Sequence, residues 1–119
     1  MGQTPAVARK PDIGAEDFFA LDLRVGRVVA VEAFPEARKP AWKLTVDFGP
    51  EVGELRTSAQ VTNDTAEELT GRLVVGAINL GAKRVAGFAS QFLVLGGIAA
   101  DGTVNLLGVD GVVPGDPVA

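Results

Sequence analysis

Cysteine, histidine and tyrosine are all absent from this chain of 119 residues. Without cysteine there are no disulfides, thiolate metal ligands or cysteine nucleophiles, and such a composition fits a reducing compartment. Without histidine, the chain lacks the usual general base, the Ser-His-Asp triad and nearly every kind of zinc site. We therefore expect a cytoplasmic protein that is not an enzyme and that has no catalytic residues, no metal and no cofactor.

Long apolar runs are absent too, since no stretch approaches the roughly 18 residues that a membrane-spanning helix needs. Arg9 and Lys10 are not followed by the apolar block of a secretory signal. We expect no membrane insertion. Pro5, Pro11 and Gly14 instead predict a flexible tail over residues 1–13, followed by a single domain over residues 14–119.

Positive charge is in the minority, because 11 Lys and Arg residues face 15 Asp and Glu residues, for a net charge of -4. The whole molecule is therefore not expected to attract nucleic acid or anionic membranes. A local basic patch could still bind RNA. The acidic residues suggest no site of their own: Asp47, Glu51 and Glu54 straddle a turn with no histidine to complete an acid/base pair or a metal site.

The pattern of apolar residues predicts a small β-barrel. A short helix is expected over residues 14–22, and a long strand over 23–34 has a phase shift at Gly26-Arg27 that predicts a bulge or a sharp bend. Period-two alternation and turn residues predict further strands over 42–48, 55–61, 73–78 and 91–95, with a helix over 65–69. Three strands, a helix and two strands form the order of an OB-fold, a five-stranded Greek-key barrel.

Residues 96–119 add a strand over 103–107 and two Gly-rich turns. They and the N-terminal helix are too short to form a core of their own, so they must pack on the barrel or on another subunit. We expect a homodimer built partly from these extensions, because small domains often gain burial by pairing.

Two basic groups are candidates for ligand contacts. Lys83 and Arg84 lie in a Gly-punctuated turn between apolar runs, and Arg38, Lys39 and Lys43 surround the first strand-to-strand turn, where OB-fold loops rim the binding face. Solvated turns are the alternative interpretation of both groups.

Polar and aromatic candidates complete the predicted site. Arg56, Ser58 and Gln60 share one face of a strand, and that face is either a ligand surface or ordinary solvent-facing sheet. Asn79 either contacts a ligand or orients a loop. Among the aromatic residues Phe34, Trp42, Phe88 and Phe92, Trp42 alternates in phase with the core, whereas Phe88 lies between turn residues and is expected to be the most exposed.

Six short motifs occur in the order seen in a known family. They are Arg24-Val-Gly-Arg-Val28, Pro35-Glu-Ala-Arg38, Val46-Asp-Phe-Gly49, Ser58-Ala-Gln60, Asn79-Leu80 and Ala86-Gly-Phe-Ala-Ser90. In these motifs the chain resembles the stand-alone tRNA-binding domain family over about residues 17–113. Within that family it is most similar to the branch of CsaA-type, export-related chaperones.

The resemblance implies an OB-fold, a homodimer and no catalytic activity. It also implies that the protein binds unfolded or pre-export polypeptides beside the secretion machinery. Structure-directed tRNA binding is the alternative, and it is disfavoured because Ser90-Gln-Phe-Leu93 replaces the Ser-x-Gly-Met pattern of tRNA-binding relatives. The candidate residues for peptide or tRNA binding are Phe34, Arg38, Lys39, Lys43, Arg56, Ser58, Gln60, Asn79, Lys83, Arg84, Phe88, Ser90 and Phe92.

Overall fold

A computed structural model describes residues 7–119, so the first six residues of the predicted flexible tail, with Pro5 among them, lie outside the described part of the chain. The elements are α1 (Ala15–Phe19), β1 (Leu23–Ala33), β2 (Trp42–Asp47), β3 (Glu54–Ala59), α2 (Ala66–Leu69), β4 (Leu73–Ala77), β5 (Lys83–Val85), β6 (Phe88–Ser90), β7 (Leu93–Val94), β8 (Gly96–Ile98) and β9 (Val104–Leu106). No helix of the described residues is long and apolar enough to cross a membrane.

A five-stranded antiparallel sheet in the order β3-β2-β1-β4-β7 curls into a nearly closed barrel. Strand β1 serves both halves, because its residues 23–27 pair with β4 and its residues 27–33 pair with β2. This arrangement confirms the predicted OB-fold. The predicted last strand over 91–95 is wrong in detail, since β6 ends at residue 90 and β7 covers only residues 93 and 94.

The bulge in β1 lies between Val28 and Ala30, where the register with β2 shifts, and not at Gly26-Arg27. The alternative prediction of a sharp bend agrees with Arg27 as the residue at which β1 passes from β4 to β2. Gly26 has a different role. A Cβ atom there would lie 2.8 Å from the Phe48 ring and would also collide with Val46. Glycine is therefore required at this position because the backbone of β1 lies directly against the core.

The barrel closes between β3 and residues 90–92 through a mixture of backbone and side-chain hydrogen bonds. The Gln91 backbone N–H donates to the Arg56 carbonyl at 2.7 Å, and the Arg56 N–H donates to Gln91 Oε1 at 2.9 Å. The Thr57 hydroxyl, 2% exposed, donates to the Phe92 carbonyl at 2.8 Å. These contacts fix the edge of the barrel on which the candidate site is built.

The core fills the barrel with aliphatic and aromatic side chains from every long strand. Phe48 packs edge to face on Phe92, with ring centroids 4.9 Å apart. The most buried residues of the core are Val28, Leu44, Val46, Phe48, Val61, Leu69 and Val74.

The C-terminal extension packs on the barrel. Residues 115–118 run beside β1, where the Val25 N–H donates to the Asp116 carbonyl at 2.9 Å and the Val118 N–H donates to the Leu23 carbonyl at 2.8 Å. Helix α1 is shorter than predicted and has no buried residue; Phe18 is 40% and Phe19 69% exposed. The N-terminal extension therefore leaves an apolar surface uncovered within the described chain.

Candidate binding groove beside the β5–β6 hairpin

Strands β5 and β6 form a tight hairpin over Ala86 and Gly87, whose φ angles are 48° and 81°. Positive φ at both central residues is the geometry of the turns that join twisted antiparallel strands closely. The sequence predicted only a turn here, because each strand has three residues and Ala-Gly is not a strong hairpin signal.

The hairpin separates the two basic residues that the sequence paired. Lys83 lies opposite Ser90, and Arg84 lies opposite Ala89. Side chains of successive residues point to opposite faces of a strand. The Ser90 hydroxyl lies 2.8 Å from the Thr57 hydroxyl of β3, so the face with Lys83 is turned towards the barrel. Arg84 is on the other face and donates to the Gly87 carbonyl at 2.7 Å.

One side of this hairpin borders a cavity of about 590 Å³, the cationic cavity. Its lining is Ala37, Arg38, Lys39, Ala41, Ser58, Gln60, Lys83, Val85 and Ala86. Every charged residue of this lining is a cation. Arg38 and Lys39 come from the β1–β2 turn, and Lys83 comes from the hairpin. The sequence offered them as members of two separate basic groups and did not predict that they line one cavity.

A second cavity of about 550 Å³, the apolar cavity, adjoins the first. Its lining is Thr57, Ser58, Ala59, Gln60, Val61, Leu80, Gly81, Lys83, Val85, Ser90, Phe92, Leu93, Val94 and Val104. Lys83 is its only charged member. Ser58, Gln60, Lys83 and Val85 line both cavities and form a shared wall. We call the two cavities together the binding groove.

The ring of Phe88 is covered by cations. Lys43 Nζ lies 5.2 Å and Arg56 Cζ 4.8 Å from its centroid, and Lys43 also lies 4.8 Å from the Phe34 centroid. Arg56 pairs in addition with Glu32 at 3.2 Å. Lys43 and Arg56 thus do not line the binding groove. They pack on the rings of Phe34 and Phe88 at the end of the hairpin through cation–π contacts.

Two of the predicted aromatic contacts are too buried to be surface anchors. Phe34 and Phe92 are each 4% exposed. Phe34 packs edge to face on Phe88 at 5.5 Å, and Phe92 forms a wall of the apolar cavity. Phe88 is half-buried and more exposed than Phe34 and Phe92. Trp42 is half-buried against the core, and its indole N–H donates to the Asp64 carbonyl at 3.1 Å.

Asn79 and Ser90 are held by the protein itself. The Asn79 amide donates to the Ala20 carbonyl at 2.8 Å and accepts from the Asp22 N–H at 2.8 Å, which ties the end of α1 to β4. The Ser90 hydroxyl bonds Thr57 and accepts from the Ser58 N–H at 3.3 Å. The structure therefore favours loop orientation for Asn79, the alternative already considered, and barrel closure for Ser90.

Sequence reasoning named Phe92 as an apolar contact of the groove but missed its aliphatic lining. Leu80 and Leu93 are 54% and 55% exposed at its rim, and Val104 reaches it from the C-terminal extension. These residues are distant in sequence and share no period. The acidic residues form no comparable site: among residues 7–119, no three carboxylates are grouped closely enough to hold a metal ion, and Asp47 accepts the Gly49 N–H at 2.8 Å within its turn.

A family model described as "Putative tRNA binding domain" matches residues 23–116. Methionine–tRNA ligase 1 of Sorangium cellulosum is 40% identical over 106 residues, which cover 88% of this chain and 15% of that enzyme. The methionine–tRNA ligase of Neisseria gonorrhoeae is 35% identical over 107 residues, covering 88% of this chain and 16% of the enzyme. The chain thus spans about a sixth of the length of these curated relatives.

Among solved structures, the likeness covers the full length of the matched chains. The CsaA chaperone protein from Picrophilus torridus is 44% identical with a TM-score of 0.87, covering 91% of this chain and 100% of that one. Chaperone CsaA from Bacillus anthracis is 43% identical with a TM-score of 0.86, covering 92% and 100%. A methionyl-tRNA-synthetase-related protein from Pyrococcus horikoshii is 28% identical with a TM-score of 0.82, covering 92% and 100%. These matches confirm the resemblance to CsaA-type proteins.

Proposed function

The chain belongs to the tRNA-binding domain family, and on that premise we propose that it is a non-catalytic protein whose binding groove takes tRNA. The observation that carries this proposal is the cationic cavity, in which Arg38, Lys39 and Lys83 converge and no carboxylate is present. The likeness to methionine–tRNA ligases supports it. The region that they share with this chain is only about a sixth of each enzyme, and it overlaps residues 23–116, which match the tRNA-binding family model.

The acidic net charge of -4 does not oppose this proposal as strongly as the sequence alone suggested. A concave surface lined by one sign of charge focuses the local field, so a ligand meets the charge of the cavity and not the average over the molecule. Ionic screening at physiological salt acts over about 8 Å, which further reduces the influence of distant carboxylates. Three converging cations provide contacts for the phosphates of a folded RNA.

Salt-dependent tRNA binding tests this proposal. With three phosphate contacts, the association constant should fall about 20- to 40-fold between roughly 50 and 200 mM salt, because each contact releases condensed counterions. Lys83→Gln should weaken binding and reduce the slope of log K against log salt by about 0.7 to 0.9.

Arg84→Gln is the matched control, since it removes the same charge from the neighbouring residue on the outer face of the hairpin. It should change the slope much less than Lys83→Gln does. Its unfolding midpoint should be measured in parallel, because Arg84 also bonds the turn. If tRNA stays free even at low salt, tRNA binding is rejected.

A second candidate function is that of a chaperone for unfolded or pre-export polypeptides, acting in the cytoplasm beside the secretion machinery. Two observations favour it: the 44% and 43% identity to CsaA chaperones over their whole length, and the apolar cavity with Leu80 and Leu93 at its rim. An extended peptide would place apolar side chains in this cavity, where aromatic and aliphatic anchors contribute most of the binding energy.

A peptide array with purified protein tests the chaperone candidate. Apolar peptides with basic flanks, as in export signals, should be compared with apolar peptides of the same length with acidic flanks. The cations of the groove predict stronger retention of the acidic set. No retention of either set at micromolar protein would reject polypeptide binding.

We also propose that the protein is a homodimer. Exposed apolar side chains remain on both extensions within residues 7–119: Phe19 is 69%, Ile98 73% and Val113 61% exposed. Pairing would cover part of this surface and add to the modest core of a small domain. Sedimentation at low micromolar concentration should show a dimer, and a single species near 12.3 kDa would contradict it.

A further inference from the structure

The shared wall of the binding groove joins two cavities of different chemistry. On one side the charged lining is wholly cationic; on the other the lining is mainly apolar, with Lys83 as its only charge. Lys83, Ser58 and Gln60 face both. A ligand that fills the whole groove must therefore carry an anionic group directly beside a group that tolerates apolar surroundings.

From this arrangement we propose that the groove captures one unpaired nucleotide of the RNA, with its base in the apolar cavity and its phosphate in the cationic cavity. This inference rests on the proposed tRNA binding and specifies which part of an RNA is recognised. A nucleotide has the required chemistry, because a phosphate and a planar base with apolar faces are separated only by a sugar.

The apolar cavity is large enough to admit a base and has a suitable lining. Its volume of about 550 Å³ is within the range of small-molecule sites. Phe92 and Val94 provide apolar walls. A base also needs hydrogen-bond partners for its edge. Gln60 lies on the shared wall together with Lys83, and its side-chain amide carries both donors and an acceptor.

Pairing decides which nucleotides can enter. A base inside a duplex is stacked and paired, so it reaches a cavity only after it is extruded, and extrusion costs least where the base is already unpaired. Proteins that read RNA bases accordingly bind loops, bulges and ends. The groove should therefore prefer an RNA with unpaired nucleotides over a blunt duplex, whose phosphates reach the cationic cavity alone.

Leu80 and Leu93 offer a way to change the apolar cavity without changing the core. Both lie at its rim and are 54% and 55% exposed. A Leu80→Ser, Leu93→Ser double variant removes apolar contact from a bound base and keeps all cations. Val7 and Val29, 83% and 41% exposed and outside both cavities, provide a matched control as Val7→Ser, Val29→Ser.

The experiment compares a blunt RNA duplex with the same duplex carrying a short single-stranded overhang, at one salt concentration. The wild-type protein should bind the overhang RNA at least about fivefold more tightly, since burial of the base against apolar side chains stabilises the complex. The leucine double variant should lose about five- to tenfold in affinity for the overhang RNA and less than about twofold for the blunt duplex. The valine control should bind both RNAs as the wild type does.

Equal wild-type affinity for the two RNAs would overturn the inference and leave tRNA binding intact, and this comparison does not depend on how any variant folds. Equal losses for both RNAs in the leucine variant would overturn it as well. Binding to neither RNA would instead reject the proposed function. If there is no preference for the overhang and an apolar peptide displaces the RNA, the groove is a polypeptide site.

Discussion

Ala86 adopts a backbone conformation that suits glycine better than alanine. Its φ of 48° makes it the only residue other than glycine with a positive φ among residues 7–119. A left-handed conformation costs an L-residue roughly 1–2 kcal/mol, and glycine avoids this cost. Glycine also makes the unfolded chain more flexible, which offsets part of the gain in stability. Ala86→Gly should therefore stabilise the protein by about 0.5 kcal/mol in urea unfolding. Ala89→Gly, in the exposed strand opposite, should destabilise it by about 0.5–1 kcal/mol. Destabilisation by Ala86→Gly would contradict the turn geometry.

Gly26 is a packing position. A methyl group there would meet Phe48 at 2.8 Å and collide with Val46, both of which are buried. Gly26→Ala should destabilise the protein by about 1–3 kcal/mol, the usual cost of overpacking a core. Gly97→Ala is the control, because a methyl group at Gly97 has no atom within 4 Å. Equal effects of the two substitutions on the urea midpoint would contradict this role.

Helix α2 depends on a capping box between Thr65 and Glu68. The Thr65 N–H donates to Glu68 Oε1 at 2.8 Å, and the Glu68 N–H donates to the Thr65 hydroxyl at 3.1 Å. Hydrogen bonds from the Thr65 backbone and side chain, with a smaller effect of Arg72, lower the pKa of Glu68 below its ordinary value of 4.5. The ionised form is thus favoured in the folded state.

This shift fixes the sign of a pH dependence. Because the folded pKa of Glu68 is the lower one, its stabilisation is complete above about pH 4.5 and is lost as the pH falls through the folded value. Glu68→Gln should therefore reduce the unfolding midpoint at neutral pH and make little difference in strong acid. Glu67→Gln, in the same turn but outside the capping box, should have a smaller effect at neutral pH. A Glu68→Gln effect that is constant with pH would contradict the cap.

The strands of the barrel and the short elements with a local signal, α2 and β9, were predictable from sequence, and the β5–β6 hairpin was not. Strands β2 and β3 show strict period-two alternation because one face lies on the core, and that signal survives without tertiary information. The β5–β6 hairpin has three residues in each strand and is held by contacts to β3, which no local pattern records. The packing role of Gly26 was not predicted, because a glycine inside a strand marks a bulge, a bend or a close approach equally well.

At the scale of the whole molecule, the sequence could supply the charges but not their positions. A net charge of -4 suggested a poor partner for RNA. The barrel nevertheless brings Arg38 and Lys39 from the β1–β2 turn beside Lys83 of the hairpin. It also places Arg84 on the opposite face, so a pair that seemed to be one basic feature has two different environments. Such convergence follows from barrel closure and cannot be derived from spacing.

The most direct test of the account is the salt dependence of tRNA binding for two triple variants of equal charge. Arg38→Gln, Lys39→Gln, Lys83→Gln removes the cations of the groove; Arg9→Gln, Lys10→Gln, Arg84→Gln removes cations elsewhere. The wild type should show a slope of log K against log salt of about -2 to -3, and the groove variant should lose most of it while the control keeps it. Equal slopes in the two variants would show that tRNA, if it binds, does not bind in this groove.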